Sequence, residues 1–138
     1  MQIVTAAEAD MESVVALWER CGLTRVWNDP RADFRMALQT QTATILLGRD
    51  GAALIASVMV GFDGHRGWIY YLAVDPPRQR AGHGRAMMAA AEAWLKERGA
   101  PKLQLMVRDG NDAALGFYER LGLERQATVV LGKRLDGR

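Results

Sequence analysis

A chain of 138 residues with 49% hydrophobic and 25% charged residues has the balance of an ordinary folded domain, which excludes a disordered segment or a fibrous repeat. At this length one domain over residues 1–138 is expected, burying about two thirds of the surface its unfolded chain exposes. A formal net charge of +2 argues against nucleic acid as a partner, and no apolar run approaches the roughly 20 residues of a membrane span.

The chain opens on "QIVTAA", a short β-like run, within an N-terminal stretch that carries acids where a targeting peptide would carry cations, so the cytoplasm is the expected compartment. Thr5 and Glu8 have the spacing of a capping box ahead of an amphipathic run through Met11, Val14, Val15, Leu17, Trp18 and Cys21, which predicts the first helix. Cys21 is the only cysteine, so no internal disulfide can form. "GLTRVWNDP" breaks that helix, and Asp29 as N-cap with Pro30 at the first helical position opens a second one through about Leu38.

"TATILLGRDGAALIASVMVGF" is two β-rich runs joined at an Asp-Gly turn, and "DGHRG" turns the chain into "WIYYLAV", a third strand; the short connections imply antiparallel pairing. The pattern then changes. "DPPRQRAGHG" is a loop, "RAMMAAAEAWLKERG" a helix rich in alanine, methionine and leucine that stops at Gly99, and "PKLQLMV" a strand, so a βαβ unit with parallel strands is predicted. "NDAALGFYERLG" follows as a helix capped by Asn111 or Asp109 and stopped at Gly122, and "ATVVLGKRL" is expected to add a last strand. The expected class is mixed α/β: an antiparallel meander followed by the βαβ unit.

The loop before the long helix holds the chemistry. Arg78, Arg80 and Arg85 crowd around Gly82 and Gly84, residues that permit unusual dihedrals and let an oxygen approach the backbone closely. A glycine-rich turn at a helix start aims several N–H groups at one point, where the helix dipole adds positive charge, and a pyrophosphate would suit it. The dinucleotide fingerprint wants a third glycine where Met87 stands, and the Walker loop wants Gly-Lys-Ser/Thr, which is absent.

Gln79-x-x-Gly82-x-Gly84, preceded by "YYLAVDP" and followed by a helix, resembles the acetyl-CoA loop of the GNAT N-acetyltransferases, and "NDAALGFYERLGL" resembles that family's second signature. The order of elements matches across nearly the whole chain. "LWERCGL", "WNDP", "GFDGHRG", "YERLGLE" and "LGKRL" are similar to the YpeA-type bacterial group of the family. The resemblance implies the GNAT acyl-CoA N-acyltransferase fold, with the two parallel strands splayed so that the pantetheine arm adds between them. It implies an enzyme that transfers the acetyl group of acetyl-CoA to a primary amine, of a small molecule or of a protein or peptide, by direct attack in a ternary complex, coenzyme A being the product. The other reading of the same residues is an acetyl-CoA-binding regulatory module with little turnover.

Carried over residue by residue, the resemblance gives Leu72 and Val74 backbone groups for the pantetheine amides and the thioester carbonyl. Gln79 and the loop residues Arg80, Ala81, Gly82, His83, Gly84 and Arg85 fall to the pyrophosphate, with Arg78, Arg80 or Arg85 near the ribose phosphate. Asn111 and Tyr118 stand seven residues apart, about two helical turns, and so share a helix face. Tyr118 is the expected acid for the departing thiolate, and Asn111 joins it in addressing the cofactor arm. On the acceptor side, Trp27 and Asn28 in "RVWNDP" line the cleft or cover the core. Asp63, His65 and Tyr71 are the candidate bases, though "DGHRG" also reads as a plain polar turn. No metal is expected, and a covalent route through Cys21 is disfavoured. Among monomers and dimers, both of which occur in proteins of this type, a homodimer is the assembly expected.

Overall fold

The computed structural model describes all of residues 1–138 and divides the chain into two compact units, Met1–Met106 and Val107–Arg138. The first unit holds strand β1 (Gln2–Thr5), helices α1 (Met11–Arg20) and α2 (Pro30–Gln39), strands β2 (Ala43–Asp50), β3 (Ala53–Phe62) and β4 (Gly67–Val74), helix α3 (His83–Glu97) and strand β5 (Leu103–Leu105). One sheet runs in the order β1-β2-β3-β4-β5, antiparallel through β4 and parallel between β4 and β5. The meander and the βαβ unit are therefore both present.

Alternation along the strands sorts the core to the two faces of the sheet. Ile45, Leu47 and Ala73 join Val14, Val15, Leu17, Trp18, Phe34 and Ala37 in the cluster under α1 and α2. The apolar stripe of α3, with Met87, Met88, Ala91 and Leu95 buried, packs on β2, β3 and β4. At Gly67 in β4 an added Cβ would run into the Leu95 side chain, so the glycine lets α3 lie close over the strand.

Several local expectations change. The predicted capping box at Thr5 does not form, because Thr5 is still paired in β1 opposite Leu46. A 3-10 turn at Glu8–Asp10 intervenes, and the Ala7 N–H donates to Asp10 Oδ2 at 2.8 Å. Asp29 caps α2 as expected, its Oδ1 accepting from the Arg31 and Ala32 N–H groups at 3.0 and 3.2 Å, with Pro30 in the first turn. The β2–β3 turn is centred on Gly51 and Ala52, since Asp50 already pairs with Ala53; Gly51 supplies the positive φ of +59°. Helix α3 starts at His83, two residues before the predicted start, because the left-handed Gly82 at φ +84° makes the reversal alone and Gly84 falls inside the first turn.

The second unit contains helix α4 (Asp112–Arg120), capped by Asn111, whose side-chain oxygen accepts from the Ala114 N–H at 3.2 Å. The chain leaves this helix through Gly122 at φ +91°. The predicted final strand over "ATVVLGKRL" is absent: Val129, Val130, Leu131 and Leu135 are 65–92% exposed and the sheet ends at β5. A β-rich run becomes a strand only where a partner edge takes its N–H and C=O groups, and composition does not supply that edge.

Candidate active site

The site begins with an interruption in the sheet. Ser57 pairs with Ala73 and Met59 with Tyr70, so Val58 alone faces the two residues Tyr71 and Leu72: β4 carries a bulge of one extra residue. Tyr71 takes a positive φ of +51°, a conformation a bulky L-residue adopts only when its surroundings hold it there. Those surroundings are specific. The ring stacks on Trp18 at 3.8 Å between centroids, the hydroxyl donates to Asp33 Oδ2 at 2.7 Å, and the carbonyl accepts from Ser57 Oγ at 3.1 Å. Ser57 in turn accepts from the buried Trp18 Nε1 at 3.0 Å.

Beyond the bulge β4 has no partner on its other side, because its pairing with β5 stops at Ile69 opposite Leu105. Val74 stands opposite Ala56, and the Asp75 N–H reaches the Ile55 carbonyl at 2.8 Å. In an antiparallel ladder this places Val74 at a position whose N–H and C=O turn away from β3, toward the open edge, and Leu72, two residues earlier, has the same alternation. The Val74 carbonyl already accepts from Gln79 Nε2 at 3.1 Å and Cys21 Sγ at 3.2 Å. Gln79 therefore ties the loop to β4. Burial and the charge of Asp75 push the Cys21 thiol above its ordinary value, so it stays protonated and a poor nucleophile near neutral pH.

The open edge runs directly into the loop. A 3-10 turn at Pro76–Arg78 follows, rooted by Asp75, which accepts from Arg20 Nε at 3.0 Å, and by Arg78, which binds Asp50 Oδ2 at 2.7 Å. Arg78 is thus held at the end of β2, while Arg80, Ala81, Gly82 and Arg85 are exposed and His83 and Gly84 half-buried. Arg80 at φ +66° and Gly82 at φ +84° curl the backbone before α3, whose first bond runs from the Ala86 N–H to the Gly82 carbonyl at 3.1 Å. The N–H groups of His83, Gly84 and Arg85 precede that bond and point out of the helix start, where the dipole favours an anion. An unpaired strand edge leading into such a cradle is the shape and polarity that a pantetheine diphosphate requires.

The other predicted site residues fall into two groups. Asp63 is spent on its turn: Oδ1 accepts from the His65 and Arg66 N–H groups at 2.8 and 2.7 Å and Oδ2 from Trp68 Nε1 at 3.2 Å. These bonds hold its carboxyl below the usual range, which makes it a weak base, and His65 beside it is exposed. Tyr71 is likewise a poor base, since burial and its bond to Asp33 raise its pKa well above the ordinary tyrosine value. Trp27 is 51% exposed and lies outside the core; Asn28 follows it in a turn closed by its N–H on the Arg25 carbonyl at 3.1 Å. In the second unit Asn111 spends its oxygen on the helix cap, and burial pushes the Tyr118 hydroxyl up to about 12. Asp33 escaped the sequence reading altogether, because an acid in a first helical turn looks like a dipole partner and nothing in the chain links it to Tyr71.

Fold and site together define a class of acyl-CoA-using transferases, and the comparisons agree. The family model for the acetyltransferase (GNAT) family matches residues 5–123. An acetyltransferase of Yersinia enterocolitica is 44% identical over 135 residues, which cover 98% of this chain and 96% of the relative. The chain belongs to the GNAT acetyltransferase family and is an acetyl-CoA-dependent acetyltransferase. Among solved structures, the aminoglycoside 6'-N-acetyltransferase of Acinetobacter haemolyticus superposes with a TM-score of 0.79 at 21% identity, covering 99% of this chain and 100% of the other. AAC(6')-Iy in complex with the bisubstrate analogue CoA-S-monomethyl-acetylneamine superposes at 0.82 with 14% identity, covering 96% and 97%, and these two share the fold. No helix is long and apolar enough to cross a membrane.

Proposed function

We propose that the chain transfers the acetyl group of acetyl-CoA to a primary amine, of a small molecule or of a protein or peptide, by direct attack within a ternary complex. The observation that carries this reading is the β4 edge left unpaired beyond Ile69, leading straight into the left-handed Gly82 and the open start of α3. Leu72 and Val74 bind the pantetheine amides through their backbone, and the loop from Arg80 to Arg85 takes the diphosphate on main-chain N–H groups. Gln79 releases the Val74 carbonyl when the cofactor arm arrives. Acetyl-CoA supplies an activated thioester; a backbone N–H held near its carbonyl oxygen stabilises the charge that develops as the amine nitrogen bonds to carbon.

Tyr118 stays protonated at neutral pH and donates a hydrogen bond to the leaving sulfur. A thiolate of ordinary pKa about 8.5 is a weaker base than a tyrosinate at about 12, so Tyr118 keeps its proton and stabilises the departing sulfur by its hydrogen bond, while the proton shed by the amine nitrogen passes to solvent. With Asp63 committed to its turn, direct attack is best served by an acceptor already partly neutral, such as an α-amine of pKa about 7.7–8.0, in preference to a lysine of about 10.4. Thiol release from acetyl-CoA should be followed across peptide N-termini, amino acids, polyamines and aminoglycosides. Turnover with a class of amines supports the reading, and Tyr118→Phe should then lower kcat by about 10² to 10³ while leaving acetyl-CoA affinity within about twofold. Silence across every amine class, with acetyl-CoA bound, would count against amine transfer.

A further inference from the structure

Between helix α2 and the cofactor edge of β4 lies a linkage that no part of the chemistry above uses. Asp33 on α2 accepts from the Tyr71 hydroxyl at 2.7 Å, and Tyr71 is the left-handed residue of the β4 bulge. The ring is fixed from the other side by Trp18, stacked at 3.8 Å and 12° between planes, and Trp18 is itself pinned through Nε1 to Ser57, which also holds the Tyr71 carbonyl. Three residues, Trp18 from α1, Asp33 from α2 and Ser57 from β3, thus converge on one strained residue, immediately before the open edge at Leu72–Val74.

We infer that Asp33 and Tyr71 form a positioning pair: their hydrogen bond holds the bulge in the conformation that aims the Leu72–Val74 backbone at the thioester carbonyl. A left-handed φ at a non-glycine residue is disfavoured by the approach of Cβ to the following carbonyl oxygen, so an unrestrained β4 would relax toward a regular strand, turning Leu72 relative to Val58. The charge-assisted bond to Asp33 offsets that cost. Neither residue touches the reacting atoms; both act through the backbone they hold.

This inference rests on the reading that the β4 edge receives acetyl-CoA, and the test separates the two. Wild-type protein and the variants Tyr71→Phe, Asp33→Ala and Asp33→Asn are titrated with acetyl-CoA labelled with carbon-13 at the acetyl carbonyl. Binding is followed by calorimetry and the bound carbonyl stretch by isotope-edited infrared difference spectra. Wild-type protein should lower the stretch relative to free acetyl-CoA. Tyr71→Phe and Asp33→Ala should lose most of that downshift with affinity changed less than about threefold. Asp33→Asn keeps an acceptor oxygen and should retain it. The double variant Tyr71→Phe/Asp33→Ala should be no worse than either single change, as one shared bond requires. In unliganded protein, amide hydrogen exchange at residues 70–74 should speed up in the same two variants while α3 keeps its protection, which a general loss of stability would not produce. A wild-type downshift in Tyr71→Phe, with exchange at the bulge unchanged, overturns the positioning pair and leaves the cofactor edge standing. Failure of the wild-type protein to take up acetyl-CoA overturns both.

Discussion

At the scale of single residues the energetics turn on one buried hydroxyl. Ser57 is fully buried in the core face of the sheet, and its Oγ both accepts from Trp18 Nε1 at 3.0 Å and donates to the Tyr71 carbonyl at 3.1 Å. Replacing it with alanine removes one oxygen and leaves the indole N–H of Trp18, a residue that is itself 0% exposed, with no partner. An orphaned buried donor costs about 1–3 kcal/mol. Ser57→Ala should therefore lower the unfolding free energy by that amount, read as a lower urea midpoint with an unchanged slope. None of this was visible in the chain: "ALIASVMVGF" reads as a buried strand with a small polar residue, and the indole that needs the hydroxyl lies 39 positions away. Asp29 capping α2 and Asn111 capping α4 were legible because their partners are local, the Thr5 box failed because β1 claims that residue, and Asp33 was missed because its partner Tyr71 is 38 positions distant.

At the scale of elements, the glycine-rich loop was legible because its geometry is written in residue types that few other structures need. Of the two glycines expected to permit unusual dihedrals, Gly82 adopts one at φ +84°, whereas Gly84 is a helical residue in the first turn of α3. The last predicted strand failed for the opposite reason: alternating apolar residues report a tendency to be extended, and pairing depends on an edge elsewhere. A glycine pair tests the loop's role. Nothing lies within 4 Å of a Cβ built at Gly82 or at Gly99, and both have positive φ, +84° and +79°. Alanine at either site should cost about 1–2 kcal/mol of stability through the left-handed backbone alone. Only Gly82→Ala should also weaken acetyl-CoA, by about tenfold or more in calorimetry, because relaxation of φ there re-aims the N–H groups of the α3 start. Equal affinities in the two variants would detach the loop from cofactor binding.

At the scale of the whole molecule, the three tyrosines make the fold sensitive to alkali in a direction that can be worked out. Burial raises Tyr70 and Tyr71 above the ordinary value, Tyr71 further through Asp33, and pushes Tyr118 up to about 12. In the unfolded chain all three titrate near 10. Between about pH 10 and 12 the folded state therefore holds more protons than the unfolded one, and stability must fall as pH rises through that window. Below pH 10 the full contribution is present and no further gain is available. For Tyr118 alone a shift of this size corresponds to roughly 2–3 kcal/mol between pH 9 and pH 12. Two measurements read the same quantity. Tyrosinate absorbance in native protein should lag that of urea-unfolded protein by more than a pH unit, and the urea midpoint should drop from pH 9 to pH 11, less steeply in Tyr118→Phe. The activity profile follows the same proton: if Tyr118 donates to the leaving sulfur, the alkaline limb of kcat/KM belongs well above the ordinary tyrosine value, and with an α-amine acceptor the rate should stay level from about pH 8.5 to 10. A native titration centred on the ordinary tyrosine value would mean that these hydroxyls meet water in solution, and the leaving-group role of Tyr118 would lose its physical basis.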